Sequence, residues 1–353
     1  MDIIQSSFGT TPVGEQVDLY TLTNANGLEL GIITWGGTCK SLKVPDRKGN
    51  LGDILLGHDS LDGYLTHDTN PYFCALIGRY GNRIGKGKFS IDGTEYSVAI
   101  NNTPNHLHGG KVGFDQKIWS AKPITTEDAV ALELKYTSPD GEENYPGNLA
   151  VTVIYTLNND NEMIINYKAT TDKPTLCNLT NHNYYNFTGA KRDHLEHQMM
   201  INASQFTPVD KGLIPTAEMA DVDGTPFDFT TPKAIGKDIA VNDQQINYGL
   251  GYDHNFILNK TQNEMSKAAE VYEPTTGRVM EVWTTEPGIQ FYTGNFLDGT
   301  ITGKGGKVYQ KHDGFCLETQ HYPDSPNKPQ WPTTILRPGE TYQTTTVHKF
   351  STR

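Results

Sequence analysis

The sequence predicts an all-β fold: one large antiparallel β-sandwich with few short helices. Three features carry that prediction. Short runs alternate apolar with smaller or polar residues, the two-residue period of a strand. Turn residues interrupt these runs at close intervals, and the 353 residues include 35 Gly and 19 Pro, as a fold of many hairpins requires. No window has the 3.6-residue apolar spacing of a long amphipathic helix; Ser60 to Leu65 has room for one or two turns.

In chain order, Asp46-Arg47-Lys48-Gly49-Asn50 reads as a turn. Phe89-Ser90-Ile91 and Thr94 to Val98 flank Asp92-Gly93, a dipeptide suited to a tight two-residue hairpin turn. Ser138-Pro139-Asp140-Gly141 is a further turn. Val151 to Leu157 alternates, turns at Asn158 to Asn161, and returns through Met163 to Tyr167, a hairpin. Asn178 to Asn186 sits where a core strand is expected, yet it holds four Asn, one His and two Tyr. On a strand, Asn178, Thr180, His182, Tyr184 and Asn186 share one face. Buried polar groups need partners, so this ladder predicts a wet concave surface that receives something rich in hydroxyls. Thr207 to Pro215 is rich in Pro and Gly, but strand-like segments continue on both sides. It reads as a loop, and residues 1–353 as a single domain without internal repeats.

The totals exclude several classes. A net charge of −12 argues against a nucleic-acid partner, whose phosphates demand a basic face, and weakly against a strongly phosphorylated substrate. No apolar run approaches the ~20 residues of a membrane span, and Met1 to Gln5 does not open a secretory signal. Cys39, Cys74, Cys177 and Cys316 are scattered, without zinc spacing. They read as free thiols in a reducing, cytoplasmic setting.

Candidate chemistry lies in a few segments. In Gly314 to Tyr322, alternation puts Cys316, Glu318 and Gln320 on one face and Phe315, Leu317 and Thr319 on the other. Glu318 is either an edge-strand surface carboxylate or a buried one with a raised pKa, able to act as a general base. His182 is either structural or an acid–base group within the polar ladder. Asn101 to Gly110, with His106 and His108, is a loop that ends in two glycines; it is a plain turn or a place where backbone approaches a ligand. Gly78 to Gly85 carries Arg79 and Arg83 without the order of a phosphate loop. Tyr252-Asp253-His254-Asn255 and Gly288-Ile289-Gln290-Phe291-Tyr292 each set polar groups beside aromatic ones, a combination that suits carbohydrates. There is no GxSxG elbow for a serine hydrolase and no HExxH motif for a metal. A glycosidase pair would have Glu318 and Asp253 as its candidates.

Taken together, the segments resemble the aldose 1-epimerase (galactose mutarotase) family. The likeness lies in ordered motifs along nearly the whole chain. They begin with Asn82-Arg83-Ile84, Leu107-His108-Gly109-Gly110 with Gly113-Phe114-Asp115 and Trp119, and Asp140 to Glu143 with Tyr145 to Leu149. Asn181-His182 with Tyr185-Asn186, Thr207 to Asp210 with Gly212 to Thr216, and Tyr252 to Asn255 follow. Gly288 to Phe296, Glu318-Thr319-Gln320 and Arg337 to Glu340 complete the series. The resemblance implies the galactose mutarotase-like supersandwich, with a sugar held in an open cleft. It implies exchange between α and β anomers of free aldohexoses such as galactose and glucose, by acid–base ring opening and closure without cofactor or metal. By the same resemblance Glu318 is the general base, His182 the general acid, and Asn82, Arg83, His108, Asp253 and Gln290 hold the sugar. The implied partner is a small-molecule aldose, with the protein a monomer or homodimer. Two positions depart from the pattern: Asn144 and Ala217 stand where many relatives have Gly. The alternatives are a hexose-6-phosphate 1-epimerase, which wants extra Arg or Lys at the C6 end of the cleft, and a non-catalytic carbohydrate-binding protein on the same scaffold.

Overall fold

The structure, a computed structural model, describes residues 1–261 and 263–353. Its largest layer is a nine-stranded sheet. In spatial order the strands are Ser120–Thr125, Ala129–Ser138, Leu149–Asn158, Glu162–Thr171, Tyr342–Thr352, Arg278–Thr284, Ser266–Tyr272, Gln198–Ile201 and Lys233–Ala234. A five-stranded sheet is built from the N-terminal strands between Asp2 and Asp53. A second one orders Ala220–Asp221, Ala203–Phe206, Asp253–Leu258, Gly288–Tyr292 and Cys316–Gln320. All strand pairs in these three sheets are antiparallel.

Alternation explains why the sheets stack. Val151, Val153 and Tyr155 face inward from the large sheet, Leu22, Leu30 and Ile32 from the N-terminal sheet, and Phe256, Ile289, Phe291 and Leu317 from the third; all belong to one buried cluster. Full burial of such a side chain contributes about 1.5–3 kcal/mol, so the cluster fixes which face of each strand turns inward. The opposite face of the third sheet is thereby free to carry polar groups.

The predicted hairpins are present. Leu149–Asn158 pairs with Glu162–Thr171, and Lys88–Ile91 with Thr94–Ser97. Asp92 and Gly93 both have positive φ, 51° and 81°, the geometry of a type I′ turn. Asp46 Oδ1 accepts hydrogen bonds from the Lys48 and Asn50 N–H groups and closes its turn. Ser60 to Leu65 contains one short 3-10 turn, Leu61–Tyr64. The α-helix Gln244–Gly249 was not foreseen; Asp243 caps it by accepting from the Gln245 and Ile246 N–H groups. No helix among the described residues is long and apolar enough to cross a membrane. Asn144 has φ 69°, a left-handed position that Asn tolerates nearly as Gly does.

The polar segment departs from expectation. Only Thr180–Asn181 is strand, paired with Leu76–Ile77. Asn side chains compete with the strand ladder for backbone groups. Asn178 Oδ1 accepts from the His321 N–H and its Nδ2 donates to the Gly81 carbonyl. Asn181 Oδ1 accepts from the Asn183 N–H, and Asn186 Oδ1 from the Thr188 N–H. The alternation is broken, and the continuous ladder does not form.

Buried neutral imidazoles are a prominent electrostatic feature. Burial lowers the pKa of His106, His182 and His348 to about 4 and of His197 and His254 to about 3. His108 and His194 lie well below the ordinary 6.5 for the same reason. The unfolded chain takes up these protons near pH 6.5 and the folded chain does not, so stability falls as pH drops from about 6.5 towards 4. Urea unfolding at pH 7 and pH 5 is expected to show a large loss in midpoint, with at least about three protons taken up on unfolding near pH 5. A midpoint that stays constant over this range contradicts the assignment.

Candidate active site

Cross-strand register assembles one side of the site. Glu318 lies opposite Gln290, Gln290 opposite Asn255, and Tyr292 between Asp253 and Cys316. These residues share the face turned away from the core. Gln290 Nε2 donates to Asp253 Oδ1 at 2.7 Å. Arg83 Nη1 stands 3.8 Å from Asp253 Oδ2, and Arg83 Nε donates to Asn102 Oδ1.

Loops supply the other side. Leu107 pairs with Arg83 and His106 with Ile84, which fixes His108 beside Asn82. The Asn82 N–H donates to His108 Nδ1 at 3.2 Å, and the His108 N–H donates to the Asn82 carbonyl. A neutral His108 therefore carries its proton on Nε2 as a donor. Gly109 is required here: its φ is 87°, and an added Cβ would collide with the Gly78 carbonyl. His182 is held by the backbone, its N–H donating to the Ala75 carbonyl and its carbonyl accepting from the Cys74 N–H. Its ring stacks on Tyr184 with centroids 5.0 Å apart.

These groups surround a cavity of about 350 Å³. Asn82, Arg83, His108, His182, Asp253 and Glu318 all line it. Gln290 does not; it stands behind Asp253. Of the five residues expected to form a ladder, only His182 and Tyr184 face the cavity. Asn178, Thr180 and Asn186 bind backbone carbonyls elsewhere. Sequence reasoning missed Tyr72, whose ring lies 4.6 Å from that of His108 and 6.0 Å from that of His182. The loop Lys211 to Leu213 and Phe296 complete the mouth. Lys211 is exposed.

His182 Nε2 and Glu318 Oε1 are 3.7 Å apart, too far for a hydrogen bond, and the two residues are only 4% and 2% exposed. Glu318 Oε2 is buried without a partner. Burial, then the nearby Asp253 carboxylate, hold Glu318 well above the ordinary carboxyl pKa, partly offset by Arg83. Burial raises Asp253 too, again opposed by Arg83 and by the Gln290 hydrogen bond. Burial thus favours the protonated form of Glu318 and the neutral form of His182. Among the described residues, only His108, His182 and Glu318 come close enough to share a cation, with ligand atoms within 4.8 Å of one another. The outer limit of that spread exceeds the roughly 3.4 Å between ligand atoms of a tetrahedral Zn²⁺ site with bonds near 2.1 Å.

The sequence profile described as aldose 1-epimerase matches residues 18–349. The chain belongs to the aldose 1-epimerase family. It is 47% identical to a human galactose mutarotase over 351 residues, covering 99% of this chain and 98% of the other. It is 38% identical to an Escherichia coli (strain K12) aldose 1-epimerase, covering 96% of each chain. A crystal structure of galactose 1-epimerase from Lactobacillus acidophilus superimposes with a TM-score of 0.88 at 27% identity, covering 100% of this chain and 99% of that one. The sandwich of this aldose 1-epimerase family member thus shares the fold of that relative.

The Gln290–Asp253 bond is testable apart from function. Gln290→Leu leaves a buried carboxylate oxygen unpartnered and is expected to cost about 1–3 kcal/mol in urea unfolding. In an Asp253→Ala background the cost should shrink. An equal cost in both backgrounds would mean that the two side chains do not act together.

Proposed function

We propose that the chain interconverts the α and β anomers of free aldohexoses, galactose and glucose among them, with Glu318 and His182 moving the protons. The observation that carries this reading is a carboxyl and an imidazole, buried 3.7 Å apart, at the wall of a cavity lined by amide, guanidinium, carboxylate and aromatic groups. Relatives named galactose mutarotase and aldose 1-epimerase match it over nearly their full length.

Ring opening needs two proton transfers. Glu318 takes the C1 hydroxyl proton, C1=O forms as the C1–O5 bond breaks, and His182 gives its proton to O5. Rotation of about half a turn about C1–C2 presents the other carbonyl face. On closure O5 attacks C1, His182 recovers the O5 proton, and Glu318 returns a proton to the C1 oxygen. No proton is gained or lost. Before opening, the proton stored on Glu318 must pass to His182, which creates a carboxylate and an imidazolium; Arg83 and the sugar hydroxyls favour that charged form. Asn82, Arg83, His108 and Asp253 are placed to hold the rest of the sugar while C1 moves, and Gln290 acts through Asp253.

Two other readings are weaker. A hexose-6-phosphate needs dedicated cations, but Arg83 is engaged by Asp253 and Asn102, and Lys211 is the one other Lys or Arg among the described lining residues. A pure sugar binder has no need of a desolvated acid–base pair.

Polarimetry of freshly dissolved α-galactose and α-glucose tests the activity. Glu318→Gln and His182→Asn are each expected to lower kcat by about 10²–10⁴ with far-UV circular dichroism unchanged. Near-normal optical relaxation with either variant refutes the role of that residue.

The pH profile tests the proton count. A second proton enters the pair as pH falls towards about 4, where His182 titrates, and activity is lost on that side. Loss of the single proton at high pH gives the alkaline limb. Asp253 raises the Glu318 pKa, so Asp253→Asn is expected to move the alkaline limb to lower pH. An unmoved or upward-shifted limb counts against this assignment.

A further inference from the structure

The proposed chemistry uses one nitrogen of His182, Nε2, which faces Glu318. The other, Nδ1, lies 3.5 Å from Cys316 Sγ. Both side chains are buried, and this is the one side-chain hydrogen bond that the His182 ring makes among the described residues. Cys316 stands on the same strand and face as Glu318, two residues away and opposite Tyr292. One short strand therefore delivers both the carboxyl partner of Nε2 and the thiol partner of Nδ1. The flanking amides of Asn181 and Asn183 are committed to backbone and tyrosine groups instead.

We infer that Cys316 is a positioning residue whose sulfur accepts from Nδ1–H of His182 and so keeps that nitrogen protonated throughout the cycle, so that Nε2 alone exchanges protons with the sugar. This rests on the mutarotase reading of the site. The partner at one imidazole nitrogen selects which nitrogen carries the proton. Neutral His182 must take the O5 proton back at Nε2 during closure, so its own proton must then sit on Nδ1. A thiol sulfur accepts weakly and does not trap the imidazolium as a carboxylate would. Burial keeps Cys316 well above the ordinary thiol pKa, so it remains a neutral thiol. The Tyr184 stack holds the ring plane while the sulfur fixes its rotation.

The test is ¹⁵N–¹H NMR of histidine-labelled protein near pH 7, together with steady-state rates. In the free wild-type protein, neutral His182 is expected to show a protonated Nδ1 and an unprotonated Nε2. Cys316→Ala is expected to shift the ring towards the Nε2–H form and to lower kcat by on the order of tenfold with KM little changed. Cys316→Ser, which keeps a group that accepts and donates, is expected to restore most of both. An Nε2–H tautomer in the wild-type protein overturns the inference whether or not any variant folds. So does Cys316→Ala with an unchanged tautomer and kcat. Absence of anomer exchange in the wild-type protein would instead remove the mutarotase reading, and the tautomer of the free protein would still decide the placement of the proton.

Discussion

Glu318 and His182 sit 3.7 Å apart with almost no contact with water, and a buried acid and base placed so close cannot titrate independently. Desolvation penalises the charged form of each, so burial favours a protonated carboxyl beside a neutral imidazole. Asp253 pushes that proton towards Glu318, and Arg83 opposes it. A carboxyl in water would be ionised at neutral pH and only a weak base toward the C1 hydroxyl proton. Burial raises the basicity of the carboxyl, and the rest of the structure serves to bury the two groups without leaving them inaccessible to a sugar.

The three sheets achieve this by packing. The apolar face of the third sheet, with Phe256, Ile289, Phe291 and Leu317, is clamped against the large sheet, and register then places Asp253, Gln290, Cys316 and Glu318 on the opposite face. A slip of one residue would turn Glu318 into the core and Leu317 into the cavity. The loop side is held by hydrogen bonds: the Asn82 N–H donates to the His108 ring and the His108 N–H to the Asn82 carbonyl, and backbone bonds lock His182 to residues 74 and 75. A rigid sheet and a well-tied set of loops can keep acid and base in place while the sugar carbon rotates between them.

Much of this was legible in the sequence where local chemistry decides structure. The Asp92-Gly93 hairpin and the faces of the Glu318 strand follow from turn preference and alternation, which tertiary packing reinforced. The segment from Asn178 to Asn186 misled because its amides bind backbone groups and break the strand, so that His182 reaches the cavity from an irregular loop. Ordered motifs located Asn82, Arg83, His108 and Asp253 along the chain, but neither the support of Asp253 by Gln290 nor the place of Tyr72 between two histidines had a local signature. Both depend on contacts between distant segments. The same is true of Cys316, legible as a neighbour of Glu318 and not as the partner of a histidine 134 residues away.

The central claim is that burial and the Asp253 carboxylate favour a protonated Glu318 in the free site. Infrared difference spectroscopy between the wild-type protein and Glu318→Gln at pH 7, without sugar, reads it directly. The account predicts the carbonyl band of a protonated carboxylic acid assigned to Glu318. A carboxylate band in its place, with no acid band, would contradict it.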